Sequence, residues 1–314
     1  MEDLKQQLNE SIAAVKQPPA MDISNLPPQD NMDIFVKNLY YTLLADEPEY
    51  KYAYAIAAEV GSDGLLHCEI SYMPYRTGNY PENFTGTVIS SLQELIAAAR
   101  ENLSQQTLPI RIANQELEID DMSRALQQAG GGYILCALNR DGTAITFTPQ
   151  NNLSQEDSVA KLEAIDRMAA EAVDACVQPG MNQTEKAQSL YAYLTENVRY
   201  DHRYYSDKEN MPFDSTTAYG AFADHLAICG GYAQALQVLF EKAGIPCFTV
   251  SGKMGSENHM WNIAYLNGKW CYFDATSDRG RAAYGFQYFG VDADALTRYV
   301  WNTAWIDLLT ASFS

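Results

Sequence analysis

The sequence predicts an α+β fold in which a helix beginning at a cysteine packs on an antiparallel sheet, and two observations carry that expectation. After Cys229-Gly230-Gly231, residues 232–242 (YAQALQVLFEK) form a strong helical run that Gly244 and Pro246 close. Further on, HMWNIAYL and KWCYFDAT are strand-like runs joined by Asn267-Gly268, a dipeptide that favours a two-residue hairpin with both turn residues at positive φ.

A length of 314 residues predicts about two domains at roughly 150 residues each. Residues 1–31 are polar, and two Pro-Pro pairs in KQPPAMDISNLPPQDN bar a helix there, so they read as an extended leader. Residues 32–150 read as a smaller N-terminal α/β region, an α+β domain with no cluster of titratable residues that marks a role. In it IFVKNLYYTLL is helical, GSDG turns between two strands, LQELIAAARENL is helical, and YILCALNRDGTAITF pairs about Asp141-Gly142. The polar turn formers of PQNNLSQED mark a boundary, and residues 151–314 form the second domain. Its first helix is capped by Ser154 with Asp157 in the first turn, and Val159, Leu162, Ile165, Ala169, Ala172 and Cys176 form its apolar stripe. A second helix starts at Asn182 with Glu185 three residues on. Ala187, Leu190, Tyr191, Leu194 and Val198 make its buried face ahead of Tyr200-Asp201.

Composition removes several classes of function. Hydrophobic residues at 47% against 19% charged exclude disorder for most of the chain. A net charge of −19, from 21 Lys+Arg and 40 Asp+Glu, repels nucleic acid and anionic membranes. No apolar run approaches the ~20 residues of a membrane span. The N-terminus lacks the layout of a secretory signal, so the chain as written reads as cytoplasmic; an export signal removed ahead of it would place the protein outside the cell or at its surface. Six dispersed cysteines suggest reduced thiols rather than a disulfide framework. Oligomeric state is not legible.

The chemistry concentrates between Thr217 and Asp278. Cys229 stands at a helix N-terminus, where unpaired N–H groups and the positive end of the dipole favour an anionic sulfur, as a nucleophile requires. Gly230 and Gly231 leave that sulfur open to something that approaches closely. The Asn267-Gly268 turn sets Leu266 opposite Lys269, which carries His259 opposite Thr276 and Trp261 opposite Asp274. His259 and Asp274 then become diagonal neighbours on one face, and Cys271 falls on the other with Phe273 and Ala264. In a Cys–His–Asp triad, His259 takes the Cys229 proton and delivers it to the leaving amine, while Asp274 fixes the tautomer. The Cys229 N–H is one oxyanion donor, and Tyr200, Gly230 and Trp261 are the substrate or oxyanion candidates. Tyr272 and Trp270 share the face of Trp261, with core packing their default. Asp201 and Asp278 read as turn or core residues. Competing bland readings make Cys229 a buried thiol and His259 a satisfied core histidine. A zinc site joining His225 and Cys229 to Cys247 or Cys271 has no C-x-x-C or H-x-x-x-H spacing, so neither metal nor cofactor is called for.

AICGGYAQAL, HMWNI and YFDATSD resemble, in order and spacing, the three motifs of the transglutaminase-like superfamily, a branch of the papain-like cysteine enzymes. That family shows Cys-x-Gly-Tyr-Ala, His-Ala-Trp-Asn and Asp-Ala-Thr-Trp-Asp. The resemblance puts Cys229, His259 and Asp274 at the catalytic positions and covers roughly residues 160–300. Gly231, Tyr232, Trp261, Asn262, Ala275 and Thr276 match flanking positions, and Asn-Val-Arg-Tyr-Asp at 197–201 is similar to a segment of bacterial members. Met260 replaces the usual Ala and Ser277 the usual Trp, departures expected to alter the groove and spare the triad. LADEPEYKYAYAI resembles, faintly, an element ahead of the core in some bacterial members. The resemblance implies a papain-like core, a thioester intermediate and a peptide or protein substrate. Hydrolysis of a peptide or amide is preferred over crosslinking, since nothing marks a lysine channel or a calcium loop. The alternatives are a crosslinking transglutaminase and a peptide- or glycan-binding protein on the same scaffold. Approach of the Cys229 sulfur to a His259 nitrogen within about 4 Å separates enzyme from binder.

Overall fold

Helix α1 (Glu2–Ala13) opens the chain, where the two proline pairs suggested extended structure. The prolines forbid helix only beyond Ala13, whereas Leu4, Leu8 and Ile12 recur four residues apart and form one buried stripe. The computed structural model describes residues 2–311; position 1 of the expected leader and positions 312–314 of the expected second domain lie outside them. Two compact units result, Met1–Ser90, Thr107–Ile119 and Leu138–Thr146 in one, and Ser91–Gln106, Asp120–Ala137 and Phe147–Ser314 in the other. A cut near residue 150 does not describe this division. The polar stretch at 149–157 is only a turn, with Asn151 and Asn152 at positive φ, and composition carries no mark of where the chain crosses between units.

In the first unit, α1 packs with β1 (Met21–Asp22), α2 (Met32–Asp46) and the hairpin of β2 (Ala53–Val60) and β3 (Leu65–Tyr72). Its core joins Leu8 and Ile12 to Val36, Tyr40, Leu66 and Ile70. Past α3 (Pro74–Thr77) and β4 (Thr87–Ile89) the chain leaves this unit for α4 (Leu92–Glu101). It returns as β5 (Thr107–Ile112), parallel to β4, then leaves for α5 (Ile119–Leu126) and β6 (Ile134–Leu138). The start of β7 (Ala144–Pro149) comes back antiparallel to β5.

The second unit holds the expected α+β core. Helix α6 (Gln155–Cys176) is capped by Ser154, and α7 (Gln183–Asn197) by a reciprocal Asn182–Glu185 box. There follow β8 (Arg199–Tyr200), α8 (Arg203–Ser206), β9 (Leu226–Ala227) and α9 (Cys229–Lys242). Five antiparallel strands complete a sheet: β10 (Cys247–Met254), β11 (Glu257–Leu266), β12 (Lys269–Phe273), β13 (Phe289–Val291) and β14 (Tyr299–Trp301), in the order β13-β12-β11-β10-β14. Helix α10 (Thr303–Thr310) closes the described chain. Ile165 and Ala169 of α6, Leu190 and Leu194 of α7, and Leu236 and Phe240 of α9 converge on Ala264, Cys271 and Phe273 of the sheet. Asn267 and Gly268 take positive φ, and the register runs from Leu266↔Lys269 to Asn262↔Phe273 as the turn requires. No described helix is long and apolar enough to cross a membrane.

Candidate active site

Helix α9 starts at Cys229 because Ile228 is extended and its N–H is held by the Ser215 carbonyl at 2.8 Å. That carbonyl belongs to the 3-10 turn Phe213–Thr216, which lies against the first turn of α9. A Cβ on Gly231 would sit 2.7 Å from the Thr217 oxygen, 2.8 Å from Ala227 Cβ and 3.0 Å from the Ser215 oxygen, and one on Gly230 3.1 Å from the Thr216 oxygen. The glycines therefore admit the chain's own backbone, not a ligand, and the expectation that they keep the sulfur open is corrected. Gly231→Ala is expected to cost about 1–3 kcal/mol in urea unfolding, because only backbone can yield, and to displace Cys229 with it.

The 3-10 turn is in turn anchored. The Ser215 hydroxyl donates to buried Asp201 at 2.7 Å, and Arg203 grips the same carboxylate with two contacts of 2.9 Å. Lys161 and the Tyr133 hydroxyl hold Asp214 at 2.8 and 2.6 Å. Asp201 is thus a turn residue, as is Asp278, which accepts from the Tyr191 hydroxyl and the Gln287 and Tyr288 amides.

His259 lies on β11 and Asp274 follows the last residue of β12. The ladder stops at Phe273, so the extrapolated pairs His259 with Thr276 and Trp261 with Asp274 do not form; residues 275–280 turn instead. The two side chains meet nonetheless, with Nε2 of His259 2.7 Å from Oδ2 of Asp274 and both residues buried. An ionised carboxylate only accepts, so Nε2 carries the proton, which leaves Nδ1 for Cys229. Burial alone would depress the His259 pKa. Hydrogen bonds to Asp274 and Cys229, with the negative charge on both, overcome it and raise the value to about 9. Burial would raise Asp274, yet the bonds from His259, Tyr299 and Ser277 hold it below the usual carboxylate range. Asn262, next but two to His259 on β11, donates to the Ala233 carbonyl of α9 at 2.8 Å and ties the strand to the cysteine's helix.

Half-buried Cys229 and buried His259 both border a cavity of about 140 Å³ lined also by Tyr200, Tyr205, Glu257 and Arg279. Of the sequence candidates, Tyr200 belongs here. Its hydroxyl bonds to that of Tyr205, which donates to Glu257 at 2.9 Å, and the Arg279 guanidinium lies 5.1 Å from its ring centre. Burial, the Tyr205 bond and the charge on Cys229 all raise its pKa. Gly230 is not among the residues lining the cavity and sits under the Thr216 carbonyl. Trp261 is also misassigned as a substrate or oxyanion group. It is 1% exposed, stacked 5.9 Å from His259 and wedged against Tyr299 and Trp301 at 5.1 and 5.7 Å. β14 covers that face, and the sequence reading did not assign this strand. Tyr299 and Ser277 were missed as site residues. Tyr-Val-Trp at 299–301 was a short strand signal, and Ser277 was noticed only as a departure from a motif.

Residues 170–275 match the model of the transglutaminase-like superfamily. The chain carries a transglutaminase-like core. It is similar to the kyphoscoliosis peptidase of Mus musculus, 22% identical over 156 residues, which are 42% of this chain and 23% of that protein. The Homo sapiens kyphoscoliosis peptidase is 25% identical over 122 residues, 35% of this chain and 18% of that protein. The chain thus spans about a fifth of the length of these relatives. A solved structure titled as a TGase superposes with a TM-score of 0.34 at 20% identity, covering 54% of this chain and 51% of that one. The transglutaminase-like match ends at Ala275, so Ser277 and Tyr299 lie beyond it.

Proposed function

We propose that this protein is a cysteine-dependent acyl-transfer enzyme that hydrolyses a peptide or amide bond. One observation carries the reading: Cys229 and His259 share a cavity, and Nε2 of the same imidazole lies 2.7 Å from a buried aspartate. Cys229 attacks the amide carbonyl as a thiolate, forming a tetrahedral intermediate. Its oxygen faces the first turn of α9, where the Cys229 N–H has no intrahelical acceptor, and Tyr200 lines the same cavity. Collapse breaks the C–N bond, and His259 gives its proton to the departing amine. The thioester is then attacked by water, whose proton passes to His259, and release of the acid restores the thiolate–imidazolium pair.

Iodoacetamide labelling tests this without a known substrate. Burial pushes the thiols of Cys68 and Cys271 up to about 11 and Cys136 to about 12, and raises Cys176 and Cys247 also. At pH 7 one equivalent of label is expected, on Cys229, read by peptide mass spectrometry. Cys229→Ala is expected to lose label and amide hydrolysis together, and His259→Asn to slow labelling at least tenfold. Even labelling of all six cysteines, or hydrolysis surviving in Cys229→Ala, would sink the proposal.

A further inference from the structure

We propose that Tyr299 and Ser277 are positioning residues that clamp the Asp274 carboxylate against His259, acting on Cys229 through the imidazole. The inference rests on the acyl-transfer reading above and adds two groups to it. Oδ2 of Asp274 accepts from His259 Nε2 at 2.7 Å, from the Tyr299 hydroxyl at 2.6 Å and from the Ser277 hydroxyl at 2.7 Å; Oδ1 accepts the Ser277 N–H at 3.0 Å. A carboxylate offers about four lone-pair positions. Four bonds reach this one, three on Oδ2 and one on Oδ1, at a residue 1% exposed, where unpaired charge would be expensive. The donors come from separate elements, so the clamp is a tertiary arrangement. Tyr299 is delivered by β14 through its pairing with Met254 of β10, and its ring is fixed by Trp261 at 5.1 Å, His259 at 5.9 Å and Tyr288 at 5.7 Å. Ser277 belongs to the turn that follows Asp274, and its hydroxyl lies 3.4 Å from that of Tyr299.

The titratable groups facing Asp274 are His259 from β11, Tyr299 from β14 and Tyr191 from α7, whose own hydroxyl is committed to Asp278. Tyr288, ahead of β13, meets Asp274 through its carbonyl, which accepts the Asp274 N–H at 3.0 Å. Cys229 acts on it through His259. The two hydroxyls are the neutral donors in this set. They favour the ionised carboxylate, so losing either one raises the pH at which Asp274 protonates and releases the imidazole.

The test is the pH dependence of Cys229 alkylation by iodoacetamide in the full chain, with thermal unfolding measured beside it. Ser277→Ala and Tyr299→Phe should each move the acid limb upward by about one pH unit, the size of one charge-assisted hydrogen bond. Ser277→Thr should return it to the wild-type position. Ser277 borders the cavity, so its variants carry the test even where Tyr299→Phe does not fold. An unmoved limb in folded Ser277→Ala overturns the clamp alone. Identical profiles in wild type and His259→Asn overturn the clamp and the acyl-transfer reading together.

Discussion

Asp274→Asn is expected to lower Cys229-dependent turnover by roughly 10³–10⁴-fold while leaving the fold intact. The amide is nearly the same size as the carboxylate, so the packing around it changes little. What disappears is the charge that outweighs burial at His259. Burial acts first on the imidazole and opposes protonation; the Asp274 bond is the largest opposing contribution and the Cys229 bond the next. With the first removed, the His259 pKa falls from about 9 toward or below its ordinary 6.5. At pH 8 the wild-type ring is protonated and the variant ring neutral, a difference that NMR of labelled histidine reads directly. The asparagine also presents an NH₂ that competes for Nε2 and permits the wrong tautomer. A variant whose His259 still titrates near 9, or whose turnover falls less than tenfold, would remove Asp274 from the proposed mechanism.

Legibility in the sequence followed the range of the interactions. The Asn267-Gly268 turn is local, so it predicted a register that holds through Phe273; the His259–Asp274 contact forms beyond the end of that ladder, where residues 275–280 turn. The caps at Ser154 and Asn182 are local for the same reason. Helix α1 was equally local but hidden, because Leu4, Leu8 and Ile12 are separated by polar residues and the prolines downstream drew the reading. Gly230 and Gly231 show the opposite case. Their need for small side chains was visible, but its cause, the carbonyls of Ser215 to Thr217, is a contact made in three dimensions. Tyr299 is the extreme: its hydroxyl reaches Asp274 only because β14 pairs with β10, 25 residues along the chain from the aspartate. Trp261 went astray with it, since an open aromatic on the histidine's face becomes core once Tyr299 and Trp301 cover it.

Phe273→Ala is expected to cost about 3–5 kcal/mol in urea unfolding, the range for deleting a fully buried aromatic ring. Phe273 is 0% exposed, and its ring lies 5.2 Å from those of both Phe240 and Phe289 and 6.1 Å from Tyr191, so α7, α9 and β13 all border the void. Its consequence is not confined to stability, because Phe273 is the last residue of β12 and the next is Asp274. The backbone there is fixed by the Asp274 N–H on the Tyr288 carbonyl, and Phe289, which follows Tyr288, packs on the lost ring. Relaxation into the void therefore draws the carboxylate away from Nε2, and a misplacement near 1 Å is worth about 10² in rate. Ile165→Ala on α6 supplies the contrast. It opens a comparable hole in the same core, costing about 2–5 kcal/mol, but the hydrogen-bond and ring partners of Asp274 and His259 named above come from elements other than α6. Measured where both variants remain folded, turnover is expected to collapse in Phe273→Ala and persist in Ile165→Ala. Equal losses in the two would mean that activity follows global stability and that β12 holds no special command over the aspartate.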